Sequence, residues 1–181
     1  MRSTLIDGMD LGEASRLTLT ELREWVSRVP GLVPEEVAPM ARVIVDEMTE
    51  PMQRLVELGL SYLSLDRASS TLSNGERQRV QLARAVRNQT TGVLYVLDEP
   101  TIGLHPANVD GVLAIIRQLI ADGNSVVVVD HDTRVLGAAD HLIEIGPGAG
   151  ADGGRVIFQG AIDEASRAPA SRIGPYMAGL R

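Results

Sequence analysis

Residues 125–131 read SVVVVDH, an unbroken run of valines closed by an acid and a histidine. β-Branched side chains favour strands over helices. A run without polar alternation is the mark of a strand covered on both faces of a parallel sheet. Just upstream, GVLYVLDEP reads as a second short buried strand, ending on Asp98 and Glu99. Between the two, Val112, Ile115, Ile116 and Leu119 share one face of a helix expected from Pro106 to Ala121, with Gly123 as its stop. TRVLGAAD then reads as a short helix, HLIEIG as a strand, and GGRVIFQG as a return strand after a glycine-rich turn. Strand, helix, strand, helix, strand in this order implies an α/β fold with a parallel sheet and right-handed crossovers. The stretch after residue 161 reads as a loosely packed tail.

Before residue 90 the pattern is helical. Residues 1–17 are mixed and weakly patterned. TLTELREWVSRVP carries a capping box, Thr18 with Glu21, and ends near Pro30-Gly31. From Pro34 to Leu58 the residues Val37, Met40, Ile44, Met48, Met52, Leu55 and Val56 recur at helical spacing. Pro34 suits a first turn, while Pro51 predicts a kink or two helices meeting near Thr49, and Gly59 a stop. The methionine stripe reads as filling for a core or an interface.

Composition narrows the chemistry. The 181 residues carry a net charge of −7, which argues against a stand-alone nucleic-acid binder. There is no cysteine, so disulfides and thiolate zinc sites are excluded. No apolar run approaches membrane-spanning length, and a soluble cytoplasmic protein is the expectation. All 17 basic residues are arginine. A phosphate-binding P-loop needs a lysine to reach the β- and γ-phosphates. Any nucleotide chemistry in this chain is therefore part of a site.

Three clusters point to such a part. In TLSNGERQRV, Ser73 is a good N-cap and Glu76 completes a capping box. The helix that starts there presents free N–H groups and a positive dipole end to an anion. Gly75 admits a phosphate close to the backbone, and Asn74 tolerates left-handed geometry. Second, Asp98 and Glu99 stand at the carboxyl end of a strand, where open α/β sheets bind ligands. Asp98 there suits a Mg²⁺ shell, through water, and Glu99 a general base. Third, His131 ends the next strand and can hold a γ-phosphate or the attacking water.

In this order and spacing the three clusters resemble the ABC-type ATPases: LSNGE resembles their signature LSGGE, LDEP their Walker B segment, and His131 their switch histidine. Within that superfamily the likeness is to the UvrA family of excinuclease components, the damage-recognition ATPases of bacterial nucleotide excision repair. It is carried by LGLSYLSLDRASSTLSNGE, GVLYVLDEPTIGLH and IGPGAGADGGRVIFQG. Two departures stand out, Asn74 in place of a glycine and ERQRVQLARAV, which is closer to transporter-type ATPases. A paralogue, or another ABC ATPase linked to drug efflux or resistance, is the alternative.

The resemblance implies a P-loop NTPase-like lobe that lacks the P-loop strand and is preceded by a helical signature subdomain. The expected division is 1–89 for the signature subdomain and 90–181 for the catalytic lobe with its tail. It implies catalysis by Glu99 and His131, ATP contacts from Ser73, Asn74, Gly75, Glu76, Gln78, Asp98, Gly103, Leu104 and His105, and Mg²⁺ at Asp98. No zinc is expected in this stretch. Signature and Walker B parts would serve two different ATP molecules, each site completed by the opposing module, so Ser73 is expected well away from Glu99. The implied partners are the rest of a longer chain, a second copy of it, DNA and the excinuclease B subunit, with no membrane. Arg67, Arg77, Arg79, Arg84 and Arg87, against Glu76 alone, form the one basic stretch and the expected DNA contact.

Overall fold

The computed structural model describes residues 4–87, 90–148 and 153–177. The chain divides into two compact units, 1–128 and 129–181.

The first unit opens with α1 (Leu11–Arg16) and α2 (Leu19–Arg28), each started by a capping box, Asp10 with Glu13 and Thr18 with Glu21. The α1 box lies in the stretch that reads as unpatterned, because six residues are too few to show a period. α3 (Ala38–Glu57) starts later than expected. Pro34 instead closes a turn before it, its carbonyl accepting from Val37 and Ala38 N–H at 3.0 and 3.1 Å. α3 is also one helix rather than two: Pro51 removes one ladder bond, and the element continues through it. Gly59 ends it with φ +74°, as Leu60 N–H reaches back to Leu55 O at 2.9 Å.

α1, α2 and the second half of α3 bury Ala14, Leu19, Leu22, Val26 and Met52 together with Leu60 and Leu63. The earlier apolar positions of the expected stripe do otherwise. Val37, Met40, Ile44 and Met48 are exposed, Met40 by 69%, so the methionine stripe fills the core only from Met52 on.

Next come α4 (Asn74–Arg87), β1 (Leu94–Asp98), α5 (Pro106–Ala121) and β2 (Ser125–Val129). β1 and β2 pair directly, with α5 as the crossover between them. Leu82 and Val86 of α4, Leu97 of β1 and Val112, Ile115, Ile116 and Leu119 of α5 make one core with Leu58. α4 thus packs with the strands, and the compact unit extends well past the change of pattern at residue 90. Gly111 permits the closest helix approach: a Cβ there would lie 2.3 Å from Glu57 O.

The valine run is covered on one face only. Val126 and Val128 pack on the core with Tyr95, whereas Val127 is 49% exposed and Val96 of β1 is 65% exposed. The expectation of cover on both faces fails because α4 and α5 lie on a single side, and no described residue covers the other.

The second unit holds α6 (Thr133–Gly137), β3 (His141–Gly146), β4 (Arg155–Ala161), α7 (Ile162–Ala165) and α8 (Gly174–Met177). β3 and β4 are antiparallel, from His141 opposite Ala161 to Gly146 opposite Arg155. The turn expected between them includes residues 149–152, which lie outside the described residues. The tail is not loose. Ala165 and Met177 are buried with Leu136 and Leu142. Glu144 accepts from Ser171 Oγ at 2.7 Å and from Arg172 N–H at 2.9 Å, tying the last segment to β3.

Candidate functional site

The start of α4 is set by Glu76. Its Oε2 accepts from Ser73 N–H at 2.6 Å, and Glu76 N–H donates to Ser73 Oγ at 3.2 Å. Glu76 is only 6% exposed, and its Oε1 receives the Tyr62 hydroxyl at 2.7 Å and the Arg67 guanidinium at 3.2 Å. The Tyr62 hydrogen bond, with those from Ser73, lowers the Glu76 pKa to about 2 against the cost of burial. The carboxylate expected to meet a nucleotide is therefore turned inward and holds the loop that would meet it. Tyr62 escaped the sequence reading because nothing in local spacing links it to a residue so far along the chain.

What α4 offers outward is its backbone. The Asn74 and Gly75 N–H groups donate to no described residue, which is the condition for anion capture at a helix start. Asn74 is helical and not left-handed, and its Oδ1 accepts from Arg77 at 2.6 Å. Gly75 is not forced by its backbone, since a Cβ there would meet Arg79 at an ordinary 3.4 Å.

Gln78 is an expected ATP contact whose amide faces the protein. In the orientation that satisfies both partners, Nε2 donates to Asp98 O at 3.1 Å and Oε1 accepts from Asp98 N–H at 3.0 Å. The five arginines divide. Arg79 is buried, with NH1 reaching Ile102 O at 3.5 Å, while Arg67, paired with Glu76, and Arg77, Arg84 and Arg87 are exposed. Buried Arg79 therefore does not share a surface with the four exposed arginines.

At the end of β1, Leu97 is buried and Asp98 exposed. Glu99 follows at φ +47°, a left-handed geometry unusual for a residue with a Cβ. Its carbonyl accepts from Ile102 N–H at 3.1 Å, closing a tight turn. Backbone strain of this kind concentrates at functional positions. Gly103 supplies the next positive φ, +71°, and the Leu104 side chain packs on the core. His105 caps α5, its Nδ1 accepting from Ala107 N–H at 3.3 Å, which puts the ring proton of the neutral form on Nε2. Gly103, Leu104 and His105 thus shape the loop between Glu99 and α5.

A buried polar hub below this strand was not foreseen. Asn124 Oδ1 accepts from Val93 N–H at 3.0 Å, while its Nδ2 donates to Thr90 O at 2.8 Å and Leu119 O at 3.0 Å.

In the second unit, His131 is exposed and its N–H donates to Asp130 Oδ1 at 2.7 Å. Asp132 N-caps α6, and its carboxylate, paired with Arg134 at 2.8 Å, lies below the usual aspartate pKa mainly through that hydrogen bond.

These parts fit ATP with Mg²⁺. The exposed Asp98 carboxylate, with no described side-chain partner, offers oxygen to a hard cation, and the unengaged amides of α4 offer donors to phosphate. Among the described residues, no three of His, Asp and Glu form a metal-holding group by themselves, so a cation here would draw its other ligands from elsewhere.

A signature-like helix start packed against a strand ending in Asp-Glu defines an ABC-type, P-loop NTPase-like fold. The chain belongs to the ABC ATPase family: the family described as ABC transporter matches residues 3–102. Within it the chain is similar to UvrABC system protein A of Thermus thermophilus, 41% identical over 98% of this chain and 19% of that protein. It is also similar to UvrABC system protein A of Bacillus subtilis, 39% identical over 99% of this chain and 18% of that protein. The crystal structure of UvrA2 from Deinococcus radiodurans superposes with a TM-score of 0.83 at 36% identity, covering 98% of this chain and 23% of that one. The chain thus spans about a fifth of the length of these relatives. No helix among the described residues is long and apolar enough to cross a membrane.

Proposed function

We propose that this chain supplies parts of two composite ATP sites in a UvrA-like ATPase of nucleotide excision repair. Residues 1–89 act as the signature part and 90–181 as the catalytic lobe. Ser73 and the Asn74 and Gly75 amides bind the γ-phosphate of one ATP. Asp98 holds Mg²⁺ of the other, which neutralises phosphate charge when bound. Glu99 takes the proton of the attacking water, and His131 orients that water against the γ-phosphate. The observation that carries the reading is the strained Glu99 directly after Asp98 at the strand end. The partners are the P-loop-bearing remainder of a longer protein, a second copy of it, DNA and the excinuclease B subunit.

A chimera tests the whole. The chain alone is expected to show no ATP turnover, since no lysine is present to anchor the phosphates. Thermus thermophilus UvrABC system protein A with its matching segment replaced by this chain should hydrolyse ATP and retain binding to damaged DNA. A folded chimera without turnover, or turnover by the chain alone, would refute the composite-site reading. Turnover without preference for damaged DNA would separate the ATPase from the repair role.

A further inference from the structure

Two grips inside one compact unit join the start of α4 to the loop after β1. With its amide in the orientation that satisfies both partners, Gln78 bonds both the N–H and the C=O of Asp98, at 3.0 and 3.1 Å. Buried Arg79 reaches Ile102 O at 3.5 Å, while its Nε has no described partner. Gly75 stands beside the second grip: a Cβ on it would lie 3.4 Å from Arg79 NH1 and 3.8 Å from Ile102 Cγ2. Between the two grips stands Glu99, in its left-handed turn closed by Ile102 N–H.

The chemistry of these contacts is specific. A strand residue ordinarily spends its N–H and C=O on a neighbouring strand. At Asp98 one helix side chain takes both. A helix of 14 residues moves as a unit, so a displacement at its first turn is carried to Gln78 and Arg79.

We propose that Gln78 and Arg79 are positioning residues that couple the start of α4 to the backbone setting of Glu99. The functional meaning rests on the ATPase reading: a phosphate gripped at Ser73–Gly75 would adjust the base that serves the other phosphate. The coupling itself belongs to this chain and needs no nucleotide.

Amide hydrogen exchange of the 181-residue chain, read residue by residue, tests it. Gln78→Met keeps length and loses both hydrogen bonds. It should speed exchange at Asp98 about five- to tenfold, the scale of one hydrogen bond, while Val96 and the α5 amides stay unchanged. Gln78→Glu keeps an oxygen facing the Asp98 N–H but turns a second acceptor toward the Asp98 C=O, so it should restore part of the protection, as a purely space-filling role would not require. Ser73→Ala should speed exchange at Asp98 and Ile102 in the original chain and add nothing at Asp98 in the Gln78→Met background, where only the Arg79 grip on Ile102 remains. Unchanged Asp98 exchange in Gln78→Met, equal protection by Met and Glu, or additive effects of Ser73→Ala at Asp98 would each overturn the proposal. An inactive chimera with these exchange results intact would remove the ATPase reading and leave the coupling standing.

Discussion

The Tyr62 hydroxyl donates to Glu76 Oε1 at 2.7 Å, although the two residues belong to different segments and only Glu76 stands in the signature-like stretch. Through Glu76 this bond reaches Ser73, whose N–H is held at 2.6 Å by the other carboxylate oxygen.

That relationship makes stability depend on acid. Glu76 is lowered from 4.5 to about 2 in the folded chain. A depressed carboxylate pKa contributes stability that is present above the unfolded value of 4.5 and is lost as pH falls toward about 2. Urea unfolding across that window should show the loss, and Glu76→Gln should flatten it. Tyr62→Phe should cost about 1 kcal/mol at neutral pH, the net value of one such hydrogen bond. Tyr62 itself is raised above 10.0, by burial first and then by Glu76. Its contribution is therefore complete below 10.0 and lost only as pH rises through the higher folded value.

Gly111 faces Glu57 O so closely that any side chain must push α3 and α5 apart. Gly111→Ala should destabilise the chain by about 1–3 kcal/mol, the usual cost of overpacking. The chemical-denaturation midpoint measures it, and an unchanged midpoint would show that the helices can separate freely.

Asn124 satisfies three backbone groups from a buried position. Asn124→Leu would leave the Val93 N–H and the Thr90 carbonyl without their partner, at about 1–3 kcal/mol for each group that stays dry, whereas Leu119 O keeps the backbone N–H of residue 124 at 3.1 Å. Thermal unfolding should register it as a large loss, with Val93 amide exchange rising first.

Glu99 combines strain with chemistry. In the chimera, Glu99→Gln should keep ATP binding and slow hydrolysis at this module roughly 10²-fold or more, as expected for loss of a general base. His131→Ala should slow the same step. Single-turnover hydrolysis at this module alone is the measurement, and an undiminished rate for Glu99→Gln would remove it from the base role.

The exposed faces of β1 and β2 carry a liability. Val96 and Val127 present apolar surface to water, which promotes self-association of the isolated chain. Val96→Thr with Val127→Thr should raise its monomer fraction in sedimentation without changing its unfolding free energy by more than about 0.5 kcal/mol, the usual limit for surface substitutions.

Local chemistry made much of this protein legible in its sequence. The Thr18–Glu21 and Ser73–Glu76 boxes, the α5 stripe with its Gly123 stop, and the strand ending on Asp98 are each written in a few neighbouring residues, where backbone sterics and periodicity act. The order of the three clusters was enough to indicate the family. What lay beyond the sequence depended on partners distant along the chain. Only tertiary packing turned Glu76 inward to Tyr62, buried Arg79 under Ile102, set Gln78 on the Asp98 backbone and left Val127 uncovered. The physical reason is that a side chain's role is decided by whichever donor, acceptor or apolar surface the fold brings to it. Residue type and spacing carry no record of that choice.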